Sequence, residues 1–144
     1  MYEDTLARVD LFSSLDKKEL QVLSKSCQER KYSAGTTLIS QGDSGVGLYI
    51  IISGHVKTTL AKNPDRAETD LGTYGPGNVL GEMALLDDLP RSATVTAVDD
   101  VTALLLPVWE FRTVVRNHPE IGLKLLSVLS KRLRKIESKS EKSE

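Results

Sequence analysis

Residues 81–95 read GEMALLDDLPRSATV and set one carboxylate, Glu82, and one guanidinium, Arg91, on either side of a short apolar run. The two groups suit different chemistry. A guanidinium holds a phosphate through two parallel N–H bonds. A carboxylate repels a phosphate and instead accepts hydrogen bonds from hydroxyl groups. Gly81, ahead of Glu82, permits a backbone conformation that other residues avoid. Glu82-Met83-Ala84-Leu85-Leu86 has helix propensity but length for only about one turn. The start of such a turn points N–H groups outward and favours an anion. Ser92 adds a hydroxyl and an N–H next to Arg91. A ligand carrying a singly charged phosphate beside a ribose hydroxyl satisfies both ends, which points to a nucleotide. A Glu82–Arg91 salt bridge closing a surface turn fits the same pair equally well.

The surrounding elements must hold this segment in place. Leu15, Leu20, Val22 and Leu23 fall near helical spacing, so Leu15–Ser26 reads as an amphipathic helix with Ser14 as its cap. The texture then changes. Short runs rich in β-branched residues alternate with turn clusters at Gly35, Gln41–Gly45, Ser53-Gly54, Asn63-Pro64-Asp65, Gly75-Pro76-Gly77 and Asp99-Asp100. Gly47–Ser53 followed by residues 55–60 reads as a hairpin turning at Ser53-Gly54. Thr69–Tyr74, Ser92–Val98 and Val101–Leu106 are further strands. About eight short strands with no βαβ alternation predict a mainly β chain, a closed or two-sheet antiparallel structure such as a jelly roll. Pro107 suits the first turn of a helix over Val108–Asn117. His118-Pro119-Glu120 breaks it, and a long helix follows over Ile121–Ile136. Leu126, Leu129, Leu133 and Ile136 form a seam on that helix, with Leu125 and Val128 as a neighbouring stripe. Two stripes serve the chain's own core and a homodimer partner, or else form one wide core face. Glu137–Glu144 is wholly polar and predicts a frayed tail.

Composition limits the remaining classes. A chain of 144 residues is one domain's worth, and a net charge of −1 argues against a nucleic-acid-coating protein. The basic residues Lys131, Arg132, Arg134 and Lys135 are diluted by Glu137 and Glu141 and read as a solvated helix face, so no nucleic acid is expected on this chain alone. The longest apolar stretches, Leu48–Ile52 and Ala103–Leu106, fall far short of a bilayer span. The acidic, polar start MYEDTLARVD is no signal peptide. The single Cys27 forms no internal disulfide, which makes a reducing, cytoplasmic setting the default. Cys27 reads as a half-buried thiol rather than a nucleophile. His55 and His118 pair with no cysteine, so neither a metal site nor another cofactor is expected. His55 reads as a solvated turn residue and His118 as part of the helix break. Trp109 reads as a core anchor, and Tyr49 fits either the core or a pocket. Ser92 has no histidine partner in sequence, so no enzyme is expected.

GEMALLDDLPRSATV resembles the phosphate-binding cassette of cyclic-nucleotide-binding domains. Gly81, Glu82, Met83, Ala84, Leu85, Leu86, Pro90, Arg91, Ser92 and Ala93 all match that pattern. Gln41-Gly42-Asp43, the run from Gly47 to Gly54 and the His-Pro-Glu break resemble other marks of the family. The resemblance covers residues 9–137, closest to Crp/Fnr-type bacterial regulators and to the regulatory domains of kinases and channels. Residues 138–144 are then a polar tail or a cut linker. The resemblance implies an antiparallel β jelly roll with an N-terminal helix and two C-terminal helices, the last one long. It implies a regulatory domain that binds a cyclic nucleotide, cyclic AMP or cyclic GMP, and passes occupancy to its C-terminal helix. Arg91 pairs with the cyclic phosphate, helped by Ser92 and the backbone N–H groups of Ala84 and Leu85. Glu82 accepts from the ribose 2′-hydroxyl, and Gly81 allows the approach. Cyclic AMP is the family's commonest bacterial ligand. Leu80 stands where the family often has Phe, and Ile136 and Glu137 fall where Crp-type sensors carry adenine-touching Thr and Ser. Two other functions fit the pattern. One is a ligand-free dimerisation module. The other is the sensor half of a Crp/Fnr-type transcription regulator.

Overall fold

Strand-forming residues are concentrated between Gln28 and Pro107, and the strands lie there. The computed structural model describes residues 1–61, 69–87 and 89–143, with 140–143 in backbone only. The expected loop at Asn63-Pro64-Asp65 falls outside the described residues. The described residues contain eight strands: β1 (Gln28–Tyr32), β2 (Thr37–Ile39), β3 (Gly47–Ser53), β4 (Val56–Leu60), β5 (Thr69–Tyr74), β6 (Val79–Leu80), β7 (Thr94–Ala97) and β8 (Val101–Pro107). They form two four-stranded sheets, ordered β1-β8-β3-β6 and β2-β7-β4-β5. Every pairing is antiparallel. The first strand pairs with the last and each later pair nests inside the one before, which is the winding of a jelly roll.

One expectation is corrected. The chain does turn at Ser53-Gly54, with Gly54 at φ 84°. However, β3 pairs with β8 and β6, whereas β4 pairs with β5 and β7. The turn is therefore a corner between sheets, not a hairpin. Local sequence predicts that the chain reverses, but side-chain burial decides which strand it meets. Asp99-Asp100 makes a second corner, from β7 to β8. Asp99 joins the two. Its Oδ1 accepts from the His55 N–H at 2.6 Å, and its Oδ2 meets the His55 Nδ1 at 2.9 Å.

β3 is buried from Gly47 to Ile51, and its sequence there reads as a near-continuous apolar run. Tyr49, Ile51, Val56, Val95, Val101, Ala103 and Leu105 form the core between the sheets. Ser26–Phe111 is one compact unit; Met1–Lys25 with residues 112–144 is another. The second unit holds α1 (Glu3–Ala7), a 3₁₀ turn at Asp10–Phe12, α2 (Lys17–Lys25) and the long α4 (Pro119–Ser143). α3 (Val108–Asn117) crosses the division. Leu6, Val9, Leu11, Phe12, Leu23 and Ile121 are almost fully buried. α1 and the 3₁₀ turn were not foreseen, being too short to show a period.

The cap of α2 also differs from expectation. Asp16 caps it, not Ser14: Asp16 Oδ1 accepts from the Glu19 N–H at 2.8 Å, and Glu19 Oε1 accepts from the Asp16 N–H at 2.9 Å. This is a reciprocal capping box, in which each side chain satisfies one orphan donor. Lys124 of α4 donates to the same Glu19 Oε1 at 2.5 Å. Arg132 Nε donates to Asp10 at 3.0 Å. Trp109, expected in the core, is 55% exposed, while Phe111 and Val114 are 3% and 7% exposed. Phe111 and Val114 are one turn apart, so they share a face that Trp109, two positions before Phe111, does not. α4 runs on through Ser143 where a frayed tail was expected. Its Glu/Lys alternation carries helix-forming residues and favourable i,i+4 spacing.

Candidate functional site

The segment 81–93 joins β6 of one sheet to β7 of the other. Gly81 enters it in the left-handed region, at φ 76° and ψ 26°. Glu82–Leu85 then forms a 3₁₀ turn, closed by the Ala84 N–H donating to the Gly81 carbonyl at 3.1 Å. Ala84 and Leu85 are buried and anchor the turn, while Met83 is 43% exposed. The Ala84 N–H foreseen for a phosphate is therefore already engaged in the turn.

Arg91 is placed by its backbone. Its N–H donates to the Asp43 carbonyl at 2.9 Å, and its own carbonyl accepts from the Gly42 N–H at 2.8 Å. That turn is held in its own right by Gln41. The Gln41 side chain bonds both backbone groups of Ala61, at 2.8 and 2.9 Å, and the Gln41 N–H meets Thr94 Oγ1 at 3.0 Å. The guanidinium lies against glycine backbone. Its Nη2 donates to the Gly47 carbonyl at 2.5 Å. A Cβ added at Gly45 or at Gly81 would overlap the guanidinium. Arg91 Nε is buried with no hydrogen-bond partner among the described residues. Burial pulls the guanidinium below its usual range, and the nearby Asp87 charge acts the other way. A desolvated cation with an unused N–H is suited to an incoming anion.

Arg91 faces a cavity of about 280 Å³, also lined by Gly81, Ser92, Ala93, Thr58 and Tyr74. Of the residues foreseen for the site, Gly81, Arg91, Ser92 and Ala93 line this cavity. Glu82, Met83, Ala84 and Leu85 do not; Glu82 is half-buried beside Gly81. The contact described for the Arg91 guanidinium is to a backbone carbonyl, that of Gly47. Asp88, another carboxylate of the segment, lies outside the described residues. Gly45 and Thr58 were missed by sequence reasoning. The glycine density of Gln41–Gly47 was the available signal for the first, and a polar residue on an inward strand position for the second. Tyr49 is a core residue, 3% exposed, with its ring edge-on to Tyr32 at 6.3 Å. It also borders a recess of about 100 Å³ shared with Gly45 and Arg91. Cys27 is half-buried, and burial pushes its thiol up to about 12, with Glu110 adding to the shift. It stays protonated and unreactive at neutral pH. Among the described residues no cluster of three potential metal ligands occurs, and no helix is long and apolar enough to cross a membrane.

The family model described as "Cyclic nucleotide-binding domain" matches residues 29–118. The "CRP-like cAMP-activated global transcriptional regulator" of Mycobacterium tuberculosis is 34% identical over 133 residues, 92% of this chain and 59% of that protein. The chain thus spans under two thirds of that relative's length. A "cAMP-dependent protein kinase regulatory subunit" of Aspergillus niger is 40% identical over 101 residues, 70% of this chain and 24% of that protein. Among solved structures, the N-terminal domain of a transcriptional regulator from Streptomyces coelicolor A3(2) superposes with a TM-score of 0.83. It is 36% identical, and the match covers 92% of this chain and 94% of that one.

Proposed function

Because the chain belongs to the cyclic nucleotide-binding domain family, we propose that it is a sensor domain for a cyclic nucleotide, with cyclic AMP as its first ligand. The observation that carries this reading is Arg91: a half-buried guanidinium whose Nε has no hydrogen-bond partner among the described residues, wedged between two glycines at the wall of a cavity. The cyclic phosphate accepts from Arg91 and Ser92. Glu82 takes the ribose hydroxyl once the turn Glu82–Leu85 draws in. The domain performs no chemistry of its own; it changes state. The ligand shifts the population because it meets Arg91 and Glu82 together only when the turn Glu82–Leu85 is drawn in, and so binds that state more tightly. That shift is carried to α4 through the break at His118. The names of the relatives support cyclic AMP over other ligands.

Calorimetry with cyclic AMP and cyclic GMP tests this. Wild type binds at least one of them, and Arg91→Ala costs about 2–5 kcal/mol of binding, as for loss of a buried charge-assisted contact. If wild type binds neither at millimolar concentration, the sensor reading is wrong.

A second role rests on a separate observation. Leu126, Leu133 and Ile136 on α4 are 61%, 59% and 63% exposed. They fall at the seam spacing, whereas Ile121, Leu125 and Val128 form the buried stripe. A homodimer through α4 would cover the exposed seam. Sedimentation of wild type should give twice the chain mass, and Leu133→Glu should give the monomer. A wild-type monomer at all accessible concentrations rules the seam out.

A further inference from the structure

Arg91, Gly81 and Ser92 form the anion end of the cavity. The rest of its wall is apolar, with Ile39, Val79 and Val95 among it, apart from Thr58 and the Tyr74 phenol. Such a wall suits a flat heterocycle, and the polar groups set into it decide what edge that heterocycle presents.

Thr58 is anomalous. It lies on β4 opposite Val95, two residues on from Val56, which is fully buried in the core. Strand alternation therefore turns Thr58 to the inner face, where an apolar residue is expected. Its Oγ1 is buried and has no hydrogen-bond partner among the described residues. An unsatisfied buried hydroxyl is a cost to the fold and calls for a reason. Thr58 also lines the cavity, so rotation about χ1 between staggered wells exchanges its methyl and its hydroxyl toward that space.

We infer that Thr58 reads the edge of the nucleobase, by a hydrogen bond from its hydroxyl to a heteroatom of the purine. The inference rests on the cyclic-nucleotide reading and goes further by assigning base discrimination to a residue of β4. Adenine and guanine present different donors and acceptors along their edges. A hydroxyl fixed on a strand meets these unequally, so Thr58 sets part of the preference between the two.

The test is calorimetry of wild type, Thr58→Val and Thr58→Ser with cyclic AMP and cyclic GMP, alongside thermal melts of each ligand-free protein. Thr58→Val keeps the shape and removes the hydroxyl. Affinity for the better-bound nucleotide should fall about three- to tenfold, the worth of one hydrogen bond, and the ratio of the two affinities should change with it. The ligand-free melting temperature should hold or rise, because the orphan hydroxyl is gone. Affinity and stability then move apart, which a purely structural role does not produce. Thr58→Ser keeps the hydroxyl and should keep the wild-type ratio; Thr58→Ala also removes the hydroxyl and should change the ratio in the same direction if the valine variant folds poorly. An unchanged ratio in Thr58→Val, whether both affinities hold or both fall together, overturns the inference and leaves the cyclic-nucleotide reading intact. Wild type that binds neither nucleotide overturns both.

Discussion

The guanidinium of Arg91 occupies space that only glycine neighbours leave open. Gly45 and Gly81 do this in different ways, and the difference is measurable. Gly45 has no positive φ, so a methyl there strains no backbone and displaces only the far end of Arg91. Gly81 sits at φ 76°, where an L side chain costs about 1–2 kcal/mol before any contact is counted. Gly45→Ala should therefore leave the melting temperature nearly unchanged while weakening the nucleotide at least tenfold, the equivalent of about 1.4 kcal/mol. Gly81→Ala should lose both stability and affinity. Equal stability losses in chemical denaturation of the two variants would contradict this division. At the same scale, Cys27 shows how burial silences a reactive group, since its thiol is held in the neutral form far above physiological pH.

The elements that matter most are those where the chain changes sheet. The β3–β4 corner and the β7–β8 corner are clipped together by Asp99, which takes both the backbone N–H and the ring of His55, while Asp100 accepts from Ala34. The hydrogen bond from the His55 ring, followed by that from the His55 backbone, holds the Asp99 carboxyl below its usual range. A carboxyl depressed in the folded state contributes stability that is fully present above its unfolded pKa, about 3.9. That contribution is lost as pH falls through the lower, folded value. Asp99→Asn should accordingly lower the melting temperature above that pH and converge with wild type as pH falls, which flattens the acid limb. Parallel acid limbs in the two proteins would remove the clip from the account. The pair is exposed, so the effect is modest and weakens with salt. The β6–β7 connection also crosses between sheets. It carries Gly81–Ala93, so a jelly-roll crossing supplies both the turn and the Arg91 anchor that follows it.

For the whole molecule, the family was legible along the chain, because its mark is one short contiguous segment. Glu82, Arg91 and the glycine between strand and turn are local facts, and their spacing survives any packing. The helix Val108–Asn117, the strand Gly47–Ser53 and the break at His118 were likewise readable, being set by apolar period, β-branching and proline. The buried and exposed stripes of α4 were separable by phase, though not which stripe would be buried. Other features were not readable. The turn at Ser53-Gly54 looked like a hairpin because reversal is local, whereas its partner strands are chosen by which faces can be buried together. Trp109 looked like a core residue because its type favours burial, but Phe111 and Val114 claimed the inward face of the same helix. Asp16 took the cap expected of Ser14 because Glu19 could reciprocate and Ser14 had no such partner. The sequence by itself determined that an acid and a base flank a short turn entered through glycine, since covalent order sets that. Only the tertiary structure decided that Arg91 lies between Gly45 and Gly81 with an Nε that has no hydrogen-bond partner among the described residues, and that Thr58 lines the same cavity. Those contacts join residues from three separate stretches of the chain, and packing alone brings them together.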